Sequence, residues 1–321
     1  MFNDIALIHN YIAEHRLLTH GSKIILGLSG GPDSVFLLHV LAPLHHTQQI
    51  YLFAAHLDHQ WRANSSADVT FCAQLCASLH IPFEHATIAE LGLNLKNNGS
   101  KEAVGRAARR QFFEQLRMKH TAEYIALAHH ADDQQENFFI RLMRGTTLTG
   151  LIGMQPRSGY YIRPLLTTKK SDIVAYLHTH AISYLSDPSN TSAEFLRNRV
   201  REKVIPVVRD ADARFDNNFA HTLTHLHEAE QFLTHLTTDT ARTVTTPSGE
   251  LDLAALLILH PYLRDRVLTQ WLYTHKIPFT VSSTVIDEIT RFIGNTKSTR
   301  HQMHTHWILC KSHATLSIKK Q

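Results

Sequence analysis

The stretch Ile25–Leu38, ILGLSGGPDSVFLL, decides the fold. One apolar run enters it and another leaves it; between them stand Ser29, Gly30, Gly31, Pro32, Asp33 and Ser34. A strand that passes through two glycines into a helix aims backbone N–H groups at one point, and the helix dipole adds positive potential there. Ser29 and Ser34 add hydroxyl donors, so the turn suits an anion of two linked phosphates. The Walker pattern G-x-x-x-x-G-K-[ST] does not fit, because no Gly-Lys pair precedes Ser34, and neither does G-x-G-x-x-G. Gly-Gly by itself is equally suited to a tight turn that only joins strand to helix.

Working outward, strands and helices alternate. KIILGLS (23–29), QIYLFAAHLD (49–58), PFEHATI (82–88) and EYIALAH (123–129) read as strands. Helices are predicted over Ser34–His46, Asn64–His80, Lys101–His120 and Asp132–Arg144. Near-continuous apolar strands between helices mean a parallel sheet covered on both faces, so the fold class is α/β with a doubly wound parallel sheet. The pattern continues less regularly through YIRPLL and a helix near Lys170–His180, then changes to helices around 216–240, 252–275 and 283–293, with a closing hairpin of THWILCK and TLSIKK. The expected division is a domain of residues 1–215 followed by a smaller, mainly helical domain of residues 216–321.

If the first three strands run outward, the fourth returns to pair with the first, and ligands bind at that switch point. There the sequence reads AHHADDQQEN, with His130, Asp132, Asp133, Gln134 and Glu136. Asp133 and Glu136, three apart, share a helix face. Two carboxylates beside a polyphosphate need a cation between them, either magnesium or a substrate ammonium. Helix capping by Asp132 and Asp133 is the plainer reading and leaves His130, Gln134 and Glu136 unexplained. The end of the second strand, HLDHQWR, holds His56, Asp58, His59 and Arg62, and the backbone near Ala55 and His56 is a candidate for adenine. SKEAVGRAARRQFF repeats Glu102, Arg106 and Arg109 at helical spacing, with Arg110 adjacent. Such a run is usually a solvated face, but an arginine near a switch point can also take a developing phosphate charge.

Composition narrows the setting. The 321 residues suffice for two domains, and no apolar run nears the roughly 18 residues that span a bilayer. MFNDIALIHNYIAEHRLLTH reads as an amphipathic helix, not a signal peptide. Three cysteines, Cys72, Cys76 and Cys310, make no disulfide framework and point to a reducing cytoplasm. Cys72 and Cys76, four apart on a helix, read as core residues. A net charge of +4 mildly favours an anionic partner. The 25 histidines, dense in HTLTHLHEAEQFLTH, lack cysteine or aspartate at ligand spacing and read as a solvated face.

The string Ser-Gly-Gly-x-Asp-Ser resembles the signature of the PP-loop ATP pyrophosphatases, whose fold is the adenine-nucleotide α-hydrolase-like sheet. Together with HLDHQWR, EAVGRAAR, HADDQQE, Arg144–Gly145, RPLL (163–166), DPSN (187–190) and RNRVR (197–201), it is similar to the tRNA(Ile)-lysidine synthetase family over nearly the whole chain. The resemblance implies that ATP adenylates the wobble cytidine of a CAU anticodon in an isoleucine tRNA, and that free L-lysine then displaces AMP. It further implies that Ser29, Gly30, Gly31, Pro32, Asp33 and Ser34 grip pyrophosphate and that Asp33 acts through magnesium or through loop geometry. Arg109 then contacts the adenylate, and Asp133 and Glu136 hold the lysine ammonium. Arg106, His130, Arg197, Arg199 and Arg201, with Asp187, Ser189 and Asn190, shape the site or meet RNA. A homodimer is common in that family. Arg110, Asn137 and Gln60–Trp61 depart from its usual pattern without removing a proposed catalytic group. The segment after residue 216 is similar to the family's helical tRNA-binding domain, and the small further domain of its longest members is not expected. Two rivals stand beside this reading. A tRNA thiolase needs a reactive cysteine pair, which Cys72 and Cys76 do not match in place or spacing. An RNA-binding protein without catalysis would have no use for an intact loop and the D-D-Q-x-E cluster.

Overall fold

The computed structural model describes residues 4–61, 65–92, 101–186, 196–295 and 297–320. After helix α1 (Asp4–Glu14), strand and helix alternate through β1 (Ser22–Gly27), α2 (Pro32–His46), β2 (Ile50–Asp58), α3 (Ser65–Ser78), β3 (Phe83–Thr87), α4 (Lys101–Lys119), β4 (Tyr124–Ala126) and α5 (Ala131–Arg144). Then come α6 (Leu148–Leu151), β5 (Arg157–Ser158), β6 (Tyr161–Ile162), α7 (Lys170–Thr179), α8 (Leu196–Arg199), a π-helical turn at Val200–Val204, and α9 (Ile205–Ala211). The sheet runs β3-β2-β1-β4-β6-β5 and is parallel except for β5. β1 therefore lies between β2 and β4, which makes the gap at its C-terminal end the switch point expected from the sequence.

Period-2 alternation sorts the sheet's two faces. Ile24, Leu26 and Leu28 of the first strand region join Leu52, Ala54 and helices α1, α2, α3 and α7 in one core. Ile25 points the other way, with Ala55 and Leu57, onto Ala108, Phe112 and Phe113 of α4. Helix α2 is apolar almost all round, with Val35 through Leu38, Val40 and Leu41 buried, as a helix pressed into the sheet must be. Cys72 and Cys76 are fully buried in the same core, and burial, with a smaller push from Cys76 and Asp68, drives the Cys72 thiol up to about 12. This is the packing role read from their spacing.

β4 stops at Ala126, short of the expected 123–129, although Leu127 N–H still donates to Ile162 O at 2.9 Å. The chain leaves the sheet early because α5 begins at once: His130 is its N-cap, and Asp133 Oδ2 accepts the His130 N–H at 3.0 Å.

The described chain divides into two compact units, Met1–Thr224 and His225–Gln321, and the division falls inside α10 (Phe215–Val244). The second unit continues with β7 (Leu251–Asp252), α11 (Leu253–Leu257), α12 (Pro261–Thr274), α13 (Ser283–Gly294), β8 (Arg300–His304), β9 (Trp307–Lys311) and β10 (Thr315–Lys320). Pro261 at the first position of α12 breaks the expected 252–275 stretch into two helices. β9 and β10 form the expected hairpin, extended by β8 and β7 into a four-stranded sheet. Val267, Trp271, Leu272, Ile289, Leu309 and Leu316 are its core.

Candidate phosphate and nucleotide site

The loop after β1 closes on itself. Ser34 Oγ donates to Gly31 O at 3.0 Å, accepts the Ser29 N–H at 3.1 Å and lies 3.0 Å from Ser29 Oγ. Both serines thus brace the turn. Gly31 is the N-cap of α2 and Pro32, which has no N–H, its first residue; Val35 N–H donates to Gly31 O at 3.0 Å, so the first-turn N–H groups without an intrahelical acceptor are those of Asp33 and Ser34. Gly30 has φ +81°, and a Cβ there would stand 2.6 Å from Leu185 Cδ1 and 3.3 Å from Cys72 Sγ, while its carbonyl accepts the Leu185 N–H at 2.9 Å. Gly30→Ala combines a left-handed backbone with a clash, and is expected to cost about 2 kcal/mol or more in a urea melt. A loss below about 0.5 kcal/mol would show that Leu185 yields easily.

Asp33 does not stand alone. Lys170 Nζ donates to Asp33 Oδ1 at 2.5 Å, and His130 Nε2 lies 3.6 Å from Asp33 Oδ2 and 3.5 Å from Asp133 Oδ2. The loop of β1 and the start of α5 therefore meet at His130, as the switch-point argument requires. Burial by itself depresses His130, but Asp132, Asp133 and Asp33 outweigh it and raise the imidazole above its ordinary value. His129 goes the opposite way, to about 4, mainly by burial and with smaller repulsion from Arg163, Arg197 and His130 that Asp133 opposes.

Asp132 faces inward and is saturated. Its Oδ2 accepts the Lys170 N–H at 2.8 Å and its Oδ1 accepts Arg209 Nη2 at 2.8 Å. Arg209 Nε also donates to Asp216 Oδ1 at 2.8 Å, and Gln135 Nε2 reaches the same oxygen at 2.9 Å. Burial opposes ionisation here, but His130, Arg209 and the Lys170 N–H together hold this carboxyl well below its ordinary 3.8. A depressed carboxyl contributes stability that is complete above 3.8 and is lost as pH falls through the lower folded value. Asp132→Asn is therefore expected to weaken the fold at neutral pH and to converge with wild type in strong acid. Urea melts across that range check it: an equal loss at both ends would mean that charge is irrelevant.

Glu136 is fully buried and clasped by two arginines. Arg201 Nε donates to Oε1 at 2.6 Å, and Arg197 Nε lies 2.8 Å from Oε2. Arg197 also donates to Asn137 Oδ1 at 3.2 Å and approaches Asp133 Oδ1 at 3.9 Å. The π-helical turn that follows α8 brings Arg197 and Arg201 onto one carboxylate. Gln134, also in the cluster, is a brace: it bonds Met154 through both ends of its amide, at 2.7 and 2.8 Å.

At the end of β2 the residues are largely engaged. Ala55 O accepts the Leu28 N–H at 2.8 Å, and His56 Nδ1 donates to Leu28 O at 2.9 Å. Asp58 accepts the Gln60 N–H at 2.7 Å and Ser65 Oγ–H at 3.1 Å, so it organises the turn. His59 stacks on Trp61 with ring centroids 4.6 Å apart, and Gly105 of EAVGR makes the room: a Cβ there would be 2.6 Å from Trp61 Cη2. Burial first, then Arg109 and His56, lowers His59 to about 4, which puts the exposed Arg109 beside this end of the sheet. Arg106 and Arg199 are exposed too, whereas Arg110 turns to Glu114 and the Tyr161 ring. Arg62, Asp187, Ser189 and Asn190 lie outside the described residues, as does the side chain of Glu102. No described helix is long and apolar enough to cross a membrane. Of the histidines of α10, His227 bonds Gln231 and His235 pairs with Asp239.

Sequence reading missed Lys170 and Arg209. One local signal existed: Lys169 and Lys170 open a helix, where the dipole favours acidic residues.

The PP-loop domain family matches residues 6–208. The tRNA(Ile)-lysidine synthase of Bacillus subtilis is 36% identical over 300 residues, covering 90% of this chain and 63% of its own length. That of Geobacillus kaustophilus is 34% identical over 269 residues, covering 81% and 58%. The chain thus spans less than two thirds of the length of these curated relatives. Among solved structures, a U34-tRNA thiolase from Methanococcus maripaludis with its [4Fe-4S] cluster superposes with a TM-score of 0.59 at 16% identity, over 70% of this chain and 78% of that one. That likeness bears on the fold alone.

Proposed function

This chain belongs to the PP-loop domain family, and from that premise we propose that it ligates free L-lysine to C2 of the wobble cytidine in the CAU anticodon of an isoleucine tRNA, using ATP. The observation that carries this reading is the meeting of SGGPDS with HADDQQE at the β1–β4 switch point, in a chain 36% identical to a tRNA(Ile)-lysidine synthase.

The cytidine O2 attacks the α-phosphorus, the bond to the bridging oxygen of the β-phosphate breaks, and pyrophosphate leaves. The lysine ε-amine, freed of one proton, then attacks C2, and AMP departs with the oxygen. The loop N–H groups and the start of α2 face charge that develops on the leaving pyrophosphate. Arg109, exposed near the end of β2, meets the adenylate, and the exposed Arg106 and Arg199 meet the RNA. Of the two carboxylates assigned to the lysine, Asp133 is the better placed: its nearest described arginine, Arg197, stands 3.9 Å away, whereas Glu136 has both oxygens against Arg197 and Arg201 at 2.8 and 2.6 Å. An ammonium of ordinary pKa about 10.4 must be deprotonated to attack, and Asp133 beside His130 supplies an acceptor path. Magnesium takes one or two carboxylates together with substrate phosphates, and Asp33, a hard-oxygen donor in the first turn of α2, fits that use. Bound there, the ion would neutralise phosphate charge.

The test is to incubate the purified protein with ATP, labelled lysine and a CAU-anticodon isoleucine tRNA. Label in that RNA, with AMP released, is expected. Label in an elongator methionine tRNA instead would overturn the specificity, and bound RNA with neither AMP nor label would favour a binding protein.

A further inference from the structure

We propose that Lys170 is the phosphate-binding cation of this loop, contacting the β- and γ-phosphates of ATP and the pyrophosphate formed from them. Nothing between Ser29 and Ser34 is basic, so SGGPDS offers only N–H and hydroxyl donors to an anion of several charges. Lys170 brings a full charge from a distant point in the chain. Its Nζ is 2.5 Å from Asp33 Oδ1, which puts the ammonium at the first turn of α2, where the N–H groups of Asp33 and Ser34 have no intrahelical acceptor.

Its placement is built. α7 packs on α2 through Ile173, Leu177 and the edge-to-face pair of Tyr176 and Phe36, with centroids 5.0 Å apart. The residues ahead of it are tied down by Ala131 N–H to Thr168 O at 2.9 Å and by Lys170 N–H to Asp132 Oδ2 at 2.8 Å. The backbone is fixed while the side chain, 36% exposed, keeps its reach.

Neighbouring cations have other duties. Lys169 pairs with Asp216 at 3.3 Å, Arg209 bridges Asp132 and Asp216, and Arg197 and Arg201 share Glu136. Among the described lysines and arginines, Lys170 is the one ion-paired to Asp33 of the loop, at 2.5 Å, beside the more distant His130 Nε2 at 3.6 Å. A lysine that opens a helix opposes the dipole, a local cost that an anion at the same point reverses. A compact ammonium on a flexible stem also suits a phosphate that changes position as it leaves.

The proposal rests on reading the loop as a pyrophosphate grip, but on neither lysine nor tRNA. It is tested by titrating inorganic pyrophosphate into the full chain by calorimetry. Lys170→Met is expected to weaken binding by roughly 10- to 100-fold, the worth of one charge-assisted hydrogen bond, and Lys170→Arg by less. In an Asp33→Asn background the Met substitution should still cause a similar loss. If the loss vanishes there, Lys170 only positions Asp33 and the proposal fails. Unchanged binding in Lys170→Met overturns it as well, and retained binding by Lys170→Arg separates lost charge from a lost fold. A wild-type chain that binds no pyrophosphate would overturn the reading of the loop together with this proposal. One that binds it but forms no lysidine would overturn only the assigned tRNA chemistry.

Discussion

Replacing Asp33 by alanine is expected to reduce AMP-forming turnover by on the order of 10²- to 10³-fold while tRNA binding is retained. Asp33 stands in the first turn of α2, within 2.5 Å of the Lys170 ammonium and 3.6 Å of His130 Nε2. It is the carboxylate assigned to magnesium, and it balances the cation assigned to phosphate. Its loss removes charge compensation at the bond that breaks, but leaves the braces of the loop, Ser29, Ser34 and the Gly30–Leu185 hydrogen bond, in place. The fold should therefore survive, and pyrophosphate binding measured without metal should not weaken, because an anion has been removed from beside an anion. Rates of AMP release with wild-type and Asp33→Ala protein decide it. Unimpaired release would remove Asp33 from the mechanism, and a parallel loss of tRNA binding would point to a collapsed loop.

The sheet was legible because its strands are short apolar runs whose buried faces alternate along β1, and the switch point followed from chain order alone. The loop was legible because glycine, proline and serine each have one local use there. Partnerships set by distant segments were not legible. Lys170 is 137 positions from Asp33, and Arg201 is 65 from Glu136. No periodicity connects them. Asp58 and Gln134 looked like site residues for the converse reason. A polar side chain in a loop has the same sequence signature whether it meets a ligand or, as here, closes a turn or braces a neighbouring carbonyl.

Glu136 carries the other large effect, this time on stability. Both of its oxygens face arginines, at 2.6 and 2.8 Å, and the carboxylate is fully buried. Removing one partner of a buried pair strands the other charges, and this costs about 3–5 kcal/mol when they are wholly enclosed. Arg197 and Arg201 keep 27% and 43% of their side chains exposed, so water recovers part of that cost. About 2–4 kcal/mol is therefore expected for Glu136→Ala in a urea melt. Glu136→Gln, which keeps the shape and one acceptor oxygen, should lose less. The two variants also separate the roles offered for this residue. A carboxylate that binds the substrate ammonium raises the KM for lysine when neutralised, with little change in stability. A carboxylate that anchors α8 and the turn after it to α5 costs stability first, and affects lysine only as Arg197 shifts near Asp133. Glu136→Gln with wild-type stability and a KM for lysine raised tenfold or more would return Glu136 to the lysine site. A marked loss of stability with an unchanged KM would leave Asp133 as the ammonium's carboxylate.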